Sequence, residues 1–203
     1  MLIYVLACTP PQNAVPVNVE PSQDHLTLHT SMGQFDVELY TEAAPITVAN
    51  FLTYVEEGFY DGADGQGATV FHRVISEFMI QGGGFTTQSL SGGELQGPEG
   101  YVEKSTRPPI TNEAQDSGLF NVRGTLAMAR TEDPDSATSQ FFINVVDNLY
   151  LDANAMTEEG YAVFGFVSSG MEIVDAISEV AVNSSDAPYT DVVLQAVEYE
   201  AAD

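Results

Sequence analysis

Phe71-His72-Arg73-Val74-Ile75-Ser76-Glu77-Phe78-Met79-Ile80-Gln81-Gly82-Gly83-Gly84-Phe85-Thr86 sets one cation and one amide among large apolar side chains, ahead of three consecutive glycines. The chain holds five basic residues against 30 acidic ones. An arginine lodged among Phe71, Phe78 and Met79 is therefore not ordinary surface decoration. A guanidinium drawn into apolar surroundings is costly unless it is paired. It is also the side chain best suited to presenting a fixed fork of donors. Val70 to Ile75 and Met79 to Gly82 read as two short strands. Neighbours on a strand point to opposite faces, so His72 and Arg73 cannot both face one groove.

Outward from this run, the chain continues as short strands and two helices. Leu26 to Thr30 and Phe35 to Leu39 alternate apolar and polar residues around Ser31-Met32-Gly33-Gln34, a hairpin of half-buried strands. Pro45 opens a helix whose Val48, Phe51, Leu52 and Val55 share one face, and Gly58 stops it. Glu56 and Glu57 stand at the wrong end for the helix dipole. Thr125 to Ala129, Phe141 to Val145, Val163 to Val167 and Val192 to Glu198 read as further strands. Ile173, Ala176, Ile177 and Val180 mark a second short helix. Many strands with two helices, and no strand–helix repeat, argue for an antiparallel barrel over a parallel sheet. Two long loops are expected, 61–67 and 88–109.

Composition narrows the function classes. At 203 residues and 44% hydrophobic content the chain fits one globular domain with ample core. Its net charge of −25 excludes nucleic acid and anionic membrane surfaces as electrostatic partners. Acids scattered along a chain whose only lysine is Lys104 suggest adaptation to a salty medium, where counter-ions screen self-repulsion. Cys8, the single cysteine, follows the apolar run Leu2-Ile3-Tyr4-Val5-Leu6-Ala7. This resembles the end of a bacterial lipoprotein signal, although a basic leader is missing and the run is short. The expected division is a signal-like segment and tether over 1–24, with Cys8 as the lipidation candidate, and a folded domain over 25–203. A plain tail with an incidental cysteine is the alternative. Accordingly a periplasmic or cell-envelope location is expected, with a cytoplasmic one as its rival.

Several motifs, in order, carry a family resemblance. The run at 71–86, then Gly124-Thr125-Leu126-Ala127-Met128-Ala129-Arg130, Ser139-Gln140-Phe141-Phe142-Ile143-Asn144 and Gly160-Tyr161-Ala162-Val163-Phe164-Gly165 resemble the cyclophilins, the peptidyl-prolyl cis-trans isomerases. The second of these motifs resembles their bacterial, periplasmic-like branch in particular. The match extends from about Leu26 to Val197. It implies a closed eight-stranded antiparallel β-barrel capped by two α-helices. It also implies isomerisation of X-Pro bonds in folding, exported proteins, without cofactor, metal or covalent intermediate.

By the same resemblance Arg73 is the catalytic donor and His72 a supporting residue. Phe78, Met79, Phe142 and Leu151 line a proline pocket. Gln81 and Gln140 hold substrate backbone, Ala129 and Arg130 contact the peptide upstream of proline, and Tyr150 and Tyr161 flank the groove. Proline-containing peptide segments are the expected partners and a monomer the expected state. Cyclosporin should bind weakly, because Tyr150 stands where some members place a Trp donor. Ser76-Glu77 departs from the usual Pro-Gly of the signature and leaves the rigidity of that turn open.

Other readings compete with these. From residue type alone, Phe78, Met79, Phe142 and Leu151 are ordinary core residues, and Arg73 could be a structural cation paired to a carboxylate. A peptide-binding module with incidental catalysis keeps the same groove. A scaffold working through its acidic loops needs none. His25 and His29 lack a close third ligand for a metal site. Asp61 and Asp64 lack the spacing of a calcium loop, so a solvated acidic loop is expected there.

Overall fold

The computed structural model describes residues 24–87, 100–155 and 158–201. Cys8 and the segment before residue 24 lie outside the described residues. The elements run β1 (His25–Thr30), β2 (Gly33–Leu39), α1 (Pro45–Glu56), β3 (Arg73–Ile75), β4 (Met79–Gly82), β5 (Phe85–Thr87), β6 (Tyr101–Glu103), β7 (Thr125–Met128), β8 (Phe141–Asn144), β9 (Val163–Ser169), α2 (Met171–Ser178) and β10 (Leu194–Glu200). Eight strands form one curled antiparallel sheet in the order β10-β1-β2-β9-β7-β8-β4-β3.

The sheet is an open half-barrel, which corrects the expectation of a closed one. Its edge strands, β3 and β10, share no ladder. An isolated bridge, Val70 to Val193, stands where closure would be. The reason is length. β3 has three residues, and the chain before it, from Thr69 to Phe71, bonds to Val192 and to Leu194 at the start of β10 without forming a ladder. Part of the expected 88–109 loop is also ordered: Tyr101–Glu103 pairs with Phe85–Thr87 as a separate two-stranded ribbon.

Strand alternation sorts the side chains between two apolar bodies. Leu26, Leu28, Phe35, Val37, Ile80, Leu126, Phe141, Ile143 and Phe164 face the main core. There they meet Val48 and Phe51 of α1 and Val174 and Ile177 of α2. Met79, Ala127, Phe142 and Val163 face the opposite side and form a smaller cluster with Phe78, Leu151 and Tyr161. Phe51 and Tyr60 each pack edge to face on Phe141 within the main core.

α1 starts without a side-chain cap of its own, its N-cap being Ala44. Glu113, far along the chain and 8% exposed, supplies the missing acceptor. Its carboxylate accepts from the Ile46 and Thr47 N–H groups at 3.0 and 2.7 Å, a favourable placement for an anion at a helix N-terminus. The misplaced Glu57 is paired with Arg107.

The 61–67 loop is largely exposed, as expected, but its Asp64 is drawn inward. Lys104, 4% exposed, inserts its ammonium there. Nζ donates to the carbonyls of Phe59 and Gly67 and pairs with Asp64 at 3.0 Å. Three donors meet three acceptors, so the single lysine is consumed as an internal pin.

Candidate active site

A row of four residues runs across the outer face of the sheet. Arg73 of β3 pairs in register with Gln81 of β4, Gln81 with Phe142 of β8, and Phe142 with Ala127 of β7. Neighbouring strands lie about 4.8 Å apart, so a guanidinium, an amide and an aromatic ring stand side by side at a fixed pitch. Around this row lies a groove of about 270 Å³ lined by Arg73, Phe78, Met79, Gln81, Ala129, Arg130, Phe142, Leu151 and Tyr161.

One end of the groove is cationic and amidic, and the other is apolar. Arg73 is half-exposed, with Nε 3.8 Å from Asp186 Oδ2. That is a loose ion pair and too long for a hydrogen bond. Gln81 Nε2 donates to Gln140 Oε1 at 3.0 Å, so Gln140 backs the row without lining the groove. The backbone must come close here. Gly83 has φ +81°, and a Cβ at Gly84 would lie 2.4 Å from the Gln140 side chain. Gly84 thus lets the Gln140 side chain lie against the glycine run, while Gly83 takes a left-handed turn beside the Ser139 carbonyl and Phe141.

Phe142 is 4% exposed and meets Tyr161 edge to face at 5.8 Å. Arg130 lies over Tyr161 at 4.5 Å, while its Nε and Nη1 donate to the carbonyls of Gly160 and Thr131. Its planar fork is thus engaged along the rim. Tyr150 stands outside the lining at 45% exposure, stacked on Phe78 at 6.0 Å.

His72 does not line the groove. Its ring packs against Phe85 at 4.6 Å. Burial, reinforced by the nearby Arg73 charge and opposed by a backbone bond at Val70, lowers its pKa from 6.5 to about 4. It is neutral near pH 7 and lies outside the groove lining. Among the described residues, no group of three or more His, Cys, Asp or Glu is arranged to hold a metal.

The structure brings nine of the sequence-named residues into one concavity and leaves Gln140, Tyr150 and His72 around it. Sequence reading missed Asp186 beside Arg73, and the buried asparagines under the groove. Asn144, inside a quoted motif, was the one signal of the latter.

Residues 25–199 match the family model described as cyclophilin type peptidyl-prolyl cis-trans isomerase/CLD. The chain is 52% identical to the peptidyl-prolyl cis-trans isomerase of Acinetobacter baylyi over 153 residues, 75% of this chain and 71% of that protein. It is 46% identical to peptidyl-prolyl cis-trans isomerase B of Escherichia coli over 178 residues, 85% of this chain and 97% of that protein. Its fold is similar to a Cryptosporidium parvum cyclophilin solved in the presence of the dipeptide Ala-Pro. That match has a TM-score of 0.63 and 24% identity, covering 88% of this chain and 99% of the other.

Proposed function

The chain belongs to the cyclophilin-type peptidyl-prolyl cis-trans isomerases and is an enzyme of that type; from that premise we propose that Arg73 drives the reaction by stabilising a twisted prolyl amide. The barrier to be lowered is amide resonance, which makes uncatalysed X-Pro isomerisation take tens to hundreds of seconds. Turnover in milliseconds asks for roughly 10⁴–10⁵-fold, about 5.5–7 kcal/mol of differential stabilisation. The chemistry requires no bond to form or break.

In this reading the pyrrolidine ring sits on Phe142, between Met79, Phe78 and Leu151. Gln81, steadied by Gln140, holds the flanking backbone, since an amide both donates and accepts. The peptide upstream of proline passes Ala129 and Arg130. An Arg73 N–H then donates to the prolyl nitrogen as it becomes pyramidal. Donors fixed in advance, in a partly dry groove, are the most effective form of such stabilisation. The observation that carries the reading is the row Arg73–Gln81–Phe142, which sets the donor beside the apolar seat by strand pairing. Arg73 is close enough to Asp186 to be steadied, yet too far to be sequestered.

A protease-coupled assay on a proline tetrapeptide tests this reading against a binding module. Isomerisation well above the uncatalysed rate supports it, and affinity for the peptide without turnover contradicts it. Weak cyclosporin binding belongs to the same proposal, since Tyr150 carries no indole donor at the rim. Low-nanomolar inhibition would contradict that. We also propose exported clients and a cell-envelope location, on the apolar run before Cys8 and the resemblance to the periplasmic-like branch. Acylated, membrane-bound protein from the native host, released by Cys8→Ser, is the expected result. A soluble native product retaining residues 1–7 would contradict it.

A further inference from the structure

Beneath the groove runs a line of buried side-chain amides that connects its walls. Asn148 is 2% exposed. Its Nδ2 donates to the Phe78 carbonyl at 2.9 Å and to Asn144 Oδ1 at 2.7 Å, which uses both hydrogens of the amide. Asn144, fully buried, donates from Nδ2 to Asn121 Oδ1 at 3.2 Å and to Thr125 Oγ1 at 3.0 Å. Asn121, also fully buried, donates from Nδ2 to Asp152 Oδ1 at 2.9 Å and to the Tyr161 carbonyl at 3.3 Å.

The backbone follows the same line. The Asn148 N–H donates to the Asn121 carbonyl at 2.7 Å, the Leu151 N–H to the Asn148 carbonyl at 2.8 Å, and the Tyr161 N–H to the Leu151 carbonyl at 2.9 Å. One end of the line is therefore the backbone of Phe78, and the other end the backbone of Leu151 and Tyr161. These three residues line the groove from separate segments of the chain.

We propose that Asn148 is a positioning residue of the isomerase, setting the width of the proline seat by tying the Phe78 wall to the Leu151 wall. The proposal rests on the groove assignment above. Packing alone leaves such a gap adjustable, whereas one buried residue that donates from its side chain to Phe78 and accepts at its own carbonyl from Leu151 does not. No bond in the line involves Arg73 or Gln81. Asn148 therefore acts on the apolar seat and not on the donor. Loosening the seat weakens ground and transition states together, which raises KM and leaves kcat in place.

Asn148→Asp tests this directly, because it turns a double donor into an acceptor facing two oxygens. The expected result is a KM for the proline tetrapeptide raised ~10-fold or more, with kcat within about twofold of the parent. Asn144→Asp is the matched control. It keeps an acceptor toward Asn148 but loses the donors toward Asn121 and Thr125, so melting temperature should fall while KM moves less than about threefold. If Asn148→Asp does not fold, Asn148→Ser, which keeps one donor, should show an intermediate rise in KM. A KM unchanged in a folded Asn148 variant overturns the proposal. So does a KM that rises equally in Asn144→Asp, since that marks general destabilisation. A parent protein without turnover would instead contradict the groove assignment. Peptide dissociation constants for the same variants then still report on the seat.

Discussion

His72 and Arg73 are adjacent in the chain, yet they serve opposite environments. Arg73 opens onto the groove, while His72 packs on Phe85 with its pKa lowered to about 4. The unfolded chain, with His near 6.5, takes up this proton first as pH falls. Stability attributable to neutral His72 is therefore intact above about pH 6.5, is lost progressively toward pH 4, and is constant below. The loss amounts to at most ~3 kcal/mol. Measured from pH 7 to pH 4, the unfolding free energy of the parent should fall by up to that amount more than that of His72→Gln, whatever their offset at pH 7. Parallel curves would contradict the assignment. Arg73 was legible in the sequence because a cation among large apolar residues is rare in so acidic a chain. Asp186 and Asn148 were not, because each meets its groove partner only after distant segments fold together. Polar residues in such loops carry no periodicity to mark them.

The turn between β3 and β4 delivers Phe78 and Met79 to the groove. It closes with the Phe78 N–H donating to the Ile75 carbonyl at 3.1 Å, and Glu77 sits at φ +58°. A left-handed residue at the third position of a four-residue turn calls for glycine, with proline favoured before it. Ser76-Glu77 occupies those positions instead. The lost rigidity is partly replaced, because Ser76 Oγ donates to Glu179 Oε1 at 2.7 Å and ties the turn to the end of α2. Relieving the left-handed Glu outweighs the entropy cost of Gly by roughly 0.5–1 kcal/mol. Glu77→Gly should then raise the melting temperature by about 1–4 °C. A lowered melting temperature would show that Glu77 is not strained.

At this scale period-two alternation was readable in the hairpin, and it set His72 and Arg73 on opposite faces, while the other groove residues came from the family resemblance. The hairpin, both helices and the β4 bounds also followed from pattern. The β5–β6 ribbon and the open edge did not. The ribbon is three residues a side, and closure depends on how far β3 extends, which is decided by long-range pairing before Arg73.

Over the whole molecule, charge is the dominant feature. Lys104 is buried, and Arg107 and Arg123 are paired to Glu57 and Asp175, so little cationic surface offsets a net charge of −25. Self-repulsion then disfavours the compact state, and salt relieves it. The melting temperature should climb between near-zero and molar NaCl. A flat or falling curve would contradict the salt-adapted reading.

Composition announced this acidity, but not that the one lysine is spent inside an acidic loop, since a burial cannot be read from residue type. The fold as a whole exists, in this account, to hold one guanidinium beside one apolar seat. The most direct test compares Arg73→Ala, Arg73→Lys and Phe142→Ala with the parent in kcat/KM and in peptide affinity. Both Arg73 variants should lose at least ~100-fold in kcat/KM, about 2.7 kcal/mol, with affinity and melting temperature nearly unchanged. Phe142→Ala should lose affinity as well. An Arg73→Ala protein that keeps most of its activity, or one that merely unfolds, would contradict the account.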